Sequence, residues 1–191
     1  MAEPVSEQRI RAACDAKSWD AATTLALEIY GPELLSYLVA VLRNASDADD
    51  VFGVVAESVW KCLPDFRWQS SFRTYAYSIA RNAYLKHVRD PRRRVRRVGL
   101  SSPSAEAMAA QVRLQTATYL RTETKDRIAK LRSELDPEDQ TLLILRINRQ
   151  LPWRDIARIM SEGEDPARRA VALRKRFERL KEELRTRAKE R

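Results

Sequence analysis

Apolar residues recur at three- and four-residue steps along most of the chain, the spacing of helices that bury one face. Between Trp19 and Leu42 the recurring positions are Leu25, Ile29, Leu34, Leu35, Leu38 and Leu42. Gly31-Pro32 interrupts them, which predicts two antiparallel helices joined at that break. Ser46 ahead of Asp47, Asp49 and Asp50 reads as a helix start, Ser capping orphan amides and the acids favouring the positive end of the dipole. The helix that follows carries Val51, Val55, Val59 and Cys62 on one stripe and Phe52, Ala56, Trp60 and Leu63 on the adjoining one, and Pro64 stops it. Its apolar face is wider than one neighbouring helix requires. After a loop from Asp65 to Gln69, Ser70 or Ser71 is placed to cap a helix running to about Arg89. On that helix Phe72, Ala76, Ile79 and Ala83 form a core face, whereas Arg73, Tyr77, Arg81 and Tyr84 recur on another.

The periodicity fails over Arg92-Arg93-Arg94-Val95-Arg96-Arg97, Gly99 and Ser101-Ser102-Pro103-Ser104, which read as a linker. Residues 105–120 are rich in Ala and Gln, with a weak helical pattern. A second domain begins near Thr124, with Ile128, Leu131 and Leu135 on a stripe. Asp136-Pro137-Glu138-Asp139 then supplies a cap, a first-turn proline and early acids for a helix through Leu142, Leu143 and Leu145. A short helix starts at Leu151-Pro152-Trp153-Arg154-Asp155 and contains Ile156, Ala157 and Met160. Ser161 to Asp165 form a loop, and Pro166 opens a final helix striped by Ala170, Leu173, Phe177, Leu180 and Leu184. A short helix, a turn and a longer basic helix suggest helix-turn-helix DNA binding.

Composition narrows the class. With 191 residues, only four glycines and 33% charged residues, the chain is expected to be all-α, as two small helical domains. No apolar run approaches the roughly 18 residues of a membrane span, and Met1-Ala2-Glu3-Pro4 lacks a secretory pattern, so a cytoplasmic protein without membrane insertion is expected. Cys14 and Cys62 lie far apart and His87 is the single histidine. That inventory assembles neither a four-ligand zinc site nor a Cys-His or Ser-His-Asp centre, and no phosphate-cradling Gly loop is present. No metal, no cofactor and no enzymatic activity are therefore expected. The net charge of +9 is uneven: −2 over residues 1–90, +7 over 91–135 and +4 over 136–191. A basic second half favours a polyanionic partner and leaves the front free to meet a protein.

Two constellations carry candidate chemistry. Phe66-Arg67-Trp68 stands in a loop, where a large ring lacks neighbours on every side and stacking on an unpaired base is worth about 1–3 kcal/mol. Together with Ser70, Ser71, Phe72, Arg73, Tyr77, Arg81 and Asn82 it suggests contact with single-stranded nucleic acid, although ordinary core or surface aromatics fit the same letters. On the last helix Arg168, Ala172, Lys175 and Arg179 lie on one face opposite the Leu/Phe stripe, with Arg174 and Arg176 flanking it. That face suits a DNA groove and its phosphates, and it equally fits a solvated surface in which Glu178, Glu182 and Glu183 pair with the cations.

The residues also carry a resemblance. Asp47-Ala48-Asp49-Asp50-Val51, Trp60, Phe66 and Ser70-Ser71-Phe72-Arg73-Thr74-Tyr75 through Ile79-Ala80-Arg81-Asn82-Ala83 to His87 resemble region two of bacterial sigma factors of the extracytoplasmic-function type. Leu135-Asp136-Pro137-Glu138-Asp139, Asp155-Ile156-Ala157 and the Arg174-Lys175-Arg176-Phe177 helix resemble region four. The resemblance implies region two over residues 16–90, a linker over 91–120 and region four over 121–188. It implies core RNA polymerase and promoter DNA as partners, and it allows an anti-sigma factor. Polymerase contact then falls to Asp47, Asp49, Asp50, Val51, Phe52, Val55 and Trp60. Minus-ten recognition and melting fall to the 64–71 loop and the helix after it, and minus-thirty-five recognition to Arg168, Arg174, Lys175, Arg176 and Arg179.

Three departures from the family pattern stand out. Gly53-Val54 replaces a usual Gln-Glu, which removes a polar contact to polymerase and costs the helix up to about 1 kcal/mol. Trp68-Gln69 replaces a common Gly-Glu, pointing to a stiffer loop or a different captured base. Ser161 to Pro166 lengthen the turn before the last helix. Two rival readings are a helix-turn-helix regulator that is not a polymerase subunit and a helical RNA-binding protein relying on Arg92–Arg97.

Overall fold

The computed structural model describes residues 5–89, 103, 106–114, 135–161 and 163–189, and among them every regular element is helical. They fall into two compact units, Met1–Thr122 and Glu123–Arg191. The expected all-α class holds. The linker arginines 92–97 and the Ile128/Leu131 stripe lie outside the described residues.

In the first unit α1 (Val5–Asp15), α2 (Trp19–Leu42), α3 (Ala45–Cys62) and α4 (Phe72–Arg89) pack into a bundle. A further helical segment, α5, covers residues 106–114. The break expected at Gly31-Pro32 does not occur: α2 runs through Pro32 without interruption. Proline removes one backbone bond there, but buried residues on several sides of α2, including Leu27, Tyr30, Leu34, Tyr37 and Leu38, hold both halves on one axis. By length and composition alone α2 could cross a bilayer, contrary to the sequence expectation. Half of that stretch is buried, and α1, α3 and α4 all pack on it, as on a core helix.

Helix α3 starts two residues earlier than expected. Its cap is Asn44, whose side chain accepts from the amides of Ser46 (2.9 Å) and Asp47 (3.3 Å), so Ser46 lies within the first turn. The helix closes into a 3₁₀ turn, Leu63–Asp65, at Pro64. The width of its apolar face is explained by neighbours on more than one side, since α2 and α4 both pack on it.

The second unit contains α6 (Pro137–Leu143), a π-type turn at Ile144–Asn148, α7 (Trp153–Met160) and α8 (Pro166–Lys189). The Asp136 carboxylate caps α6 through the Glu138 amide (2.7 Å). The Arg146 guanidinium donates to the Leu151 carbonyl (2.9 Å) and stacks 4.9 Å over Trp153, which fixes the α6–α7 turn. Leu173, Phe177 and Leu180 of α8 close the core beside Ile156, Ala157 and Met160, and Trp153 meets Phe177 edge to face at 5.4 Å.

Candidate nucleic-acid interface

Pro64 ends α3, and Ser71 begins α4 by accepting the Thr74 amide (3.0 Å), so the residues between cross from one helix to the next in a short loop. Four rings gather there. Phe66 stacks on Tyr75 at 4.3 Å and meets Trp68 at 4.8 Å and Phe72 at 5.8 Å. Trp68 adopts a left-handed φ of 54°, unusual for a bulky residue, which turns its ring back onto the cluster. Phe66 and Trp68 are consequently half-buried, and the expectation of a ring without neighbours is corrected. Both rings keep part of their surface accessible, flanked by exposed Arg67 and Gln69.

Helix α1, absent from the sequence-based outline, holds this loop in place. The Glu7 carboxylate, only 2% exposed, accepts both the Arg73 amide in the first turn of α4 (3.0 Å) and the Tyr30 hydroxyl (3.1 Å). Negative charge at that point favours the amide-rich end of α4. The Arg11 guanidinium lies 5.3 Å over the Trp68 ring. The Tyr75 hydroxyl donates to the Cys62 carbonyl (3.2 Å), tying the start of α4 to the end of α3. Burial foremost pushes the Tyr30 and Tyr75 hydroxyls up to about 12. An Ile10 among polar neighbours was the faint sign of α1; nothing in the letters marked Glu7 as a cap for a helix 66 residues away.

The expected polar face of α4 is not a surface. Tyr77 is 0% and Arg81 3% exposed, Phe72 and Tyr84 are equally buried, and Tyr77 packs edge to face on Tyr37. The periodicity could not tell a phosphate-facing stripe from one taken up by a second neighbouring helix. Arg73 forms a two-pronged pair with Glu33 of α2 (2.8 and 2.9 Å), which raises its pKa and commits its guanidinium to the fold. Of the sequence-predicted strand-contacting residues, Phe66, Trp68 and Ser70 keep part of their surface accessible and Asn82 is exposed, while Ser71 serves as the cap.

On α3, Val51, Phe52 and Val55 are core residues at 0–1% exposure, which corrects their assignment as partner contacts. The accessible stripe is Asp47, Asp50, Val54 and Ser58, at three- and four-residue steps, with Asp49 beside it. Trp60 is half-buried, its indole N–H donating to the Asp20 carboxylate (2.9 Å).

On α8, Arg168, Arg174, Lys175 and Arg179 are exposed, and among the described residues they enter no ion pair. The glutamates of that helix pair elsewhere: Glu178 with Lys181 (2.7 Å), Glu182 with Arg185 (3.4 Å) and Glu183 with Arg187. Arg176 departs from its assignment, because Asp139 of α6 and its cap Asp136 hold the guanidinium and raise its pKa. Asp165 caps α8 through the amides of Ala167 (3.2 Å) and Arg168 (3.4 Å), so the longer turn ends in a defined start for this helix.

Residues 27–94 match the family described as Sigma-70 region 2. This segment of the chain is therefore similar to region 2 of sigma-70 factors. The match covers most of α2, all of α3 and α4 and the aromatic loop between them. The chain is also 26% identical over 136 residues to the RNA polymerase sigma-H factor of Pseudomonas aeruginosa, spanning 69% of this chain and 70% of that protein. The accessible stripe of α3 and the ring cluster thus both lie inside the sigma-70 region 2 match.

Proposed function

We propose that this chain is a cytoplasmic sigma factor of the extracytoplasmic-function type that binds core RNA polymerase, recognises a promoter and opens it. The observation that carries the reading is the preassembled cluster of Phe66, Trp68, Phe72 and Tyr75 at the capped start of α4, inside the region 2 match. A base leaving the duplex meets the accessible surface of Phe66 and Trp68, already fixed by Glu7, Arg11 and the Tyr75 hydroxyl bond. Little ordering then accompanies capture, so more of the stacking energy is available to hold the strands apart. Arg67, Ser70 and Asn82 are accessible polar groups left to serve the displaced strand.

The other two contacts follow from what stays at least partly accessible. Asp47, Asp49, Asp50 and Val54 on α3 form the face for polymerase. Arg168, Arg174, Lys175 and Arg179 on α8 are the cations for a region-four contact with duplex DNA. The test is transcription by purified core polymerase plus this chain on a promoter library, alongside strand opening followed by a fluorescent base. Wild type is expected to give promoter-dependent transcripts. Trp68→Ala should slow opening about tenfold, corresponding to about 1.4 kcal/mol of lost stacking, with duplex binding within twofold of wild type. Normal opening by Trp68→Ala would sink the loop assignment. Promoter binding without any transcript would leave a regulator that is not a polymerase subunit.

A further inference from the structure

Helix α5 lies outside the region 2 match, yet it is seated on the helices inside it. Its Ala109 and Val112 are 0% and 1% exposed, while Leu114 on the other side is 74% exposed, so one face alone is docked. The seat is shaped by two glycines in helix interiors, Gly31 of α2 and Gly53 of α3, out of only four in the chain. Neither has a positive φ, so conformational freedom does not explain them; space does. A Cβ on Gly31 would stand 2.9 and 3.2 Å from the two Val112 methyls, and one on Gly53 would stand 3.2 Å from the Arg113 guanidinium. That guanidinium also lies 5.7 Å over the Phe52 ring and 3.9 Å from Glu106. Glycine is unfavourable inside a helix relative to alanine, so both positions trade helix stability for a close α5 contact.

Gly53 borders the accessible stripe of α3, next to Val54 and one turn after Asp49 and Asp50. The Arg113 guanidinium reaches that border at Gly53. A partner helix is about 10 Å across with its side chains, and laid along the stripe it overlaps the ground that Arg113 occupies. We propose that α5 is a built-in cover on the α2/α3 surface, competing with core polymerase for the edge of α3, so that tight docking requires α5 to lift. This rests on the reading of α3 as the polymerase face. The apparent affinity for polymerase is then reduced by the fraction of molecules in which α5 is seated.

The experiment compares the full chain with Val112→Asp and Arg113→Ala, both altered on α5 only, for affinity to core polymerase and for hydrogen exchange of residues 106–114. Val112→Asp is expected to bind core about tenfold more tightly and Arg113→Ala about threefold. Amides 106–114 should be protected in the free chain and lose protection in the complex. Thermal melts of the free variants check that the bundle stays folded. Protection of 106–114 retained in the wild-type complex, with both variants binding at wild-type affinity, would overturn the proposal and make α5 a permanent part of the unit. Failure of all three proteins to bind core would remove the polymerase face itself and the cover with it.

Discussion

Trp68 holds a left-handed backbone, φ 54°, in a place where its ring can close on Phe66 and accept Arg11. Such a conformation costs a bulky residue on the order of 1–3 kcal/mol, here set against ring packing. Trp68→Gly removes strain and contacts together, so its melting free energy should stay within about 1 kcal/mol of wild type while strand opening falls as far as in Trp68→Ala. Glu7 is a different case, because its carboxylate is the partner of two buried donors. Glu7→Ala leaves both unpaired and should lower stability in urea titrations by about 2–3 kcal/mol. The tyrosines give a pH signature. Burial holds the Tyr30 and Tyr75 hydroxyls protonated up to about 12, whereas in the unfolded chain they ionise near the ordinary value of 10. Their contribution is complete below pH 10 and disappears as pH rises from about 10 to about 12. A urea midpoint that stays flat across that window would contradict the burial. At this scale the aromatic letters announced themselves, but their environments did not, since burial depends on partners from distant elements.

Helix boundaries obey local chemistry until packing outweighs it. Asn44 and Ser46 are both competent caps, and the chain uses Asn44 because its extended backbone turns the amide oxygen onto two free N–H groups. Asn44→Ala should cost about 1 kcal/mol and Ser46→Ala a few tenths, a contrast that thermal melts resolve. Pro32 shows the opposite balance. A proline that would end an isolated helix is carried through α2 because three other helices pack along its length. The same neighbours explain α4, where a stripe of Arg, Tyr and Tyr looks polar in sequence yet serves as a second core face. Helix α1 has few apolar residues to announce it. Its place comes from buried Ile10, one buried carboxylate and one stacked guanidinium, too few contacts to make a detectable periodicity.

For the chain as a whole, charge separates the tasks: acids line the half-buried outer side of α3 and cations the exposed side of α8. Lys175→Ala and Arg179→Ala should each weaken DNA binding and reduce its salt slope by about one. Arg176→Ala should instead lower stability and leave the slope unchanged, because its charge is already matched by Asp139 and Asp136. Equal loss of slope in all three variants would return Arg176 to the interface. The sequence by itself determined the all-α class, the loop of rings after Pro64 and the basic last helix, because these rest on local periodicity, helix breakers and charge. Only the tertiary structure decided which of those side chains face solvent. Burial and pairing are set by residues far apart in sequence, such as Glu7 beside Arg73, Glu33 beside Arg73 and Asp139 beside Arg176, and no spacing rule along one helix contains its neighbours.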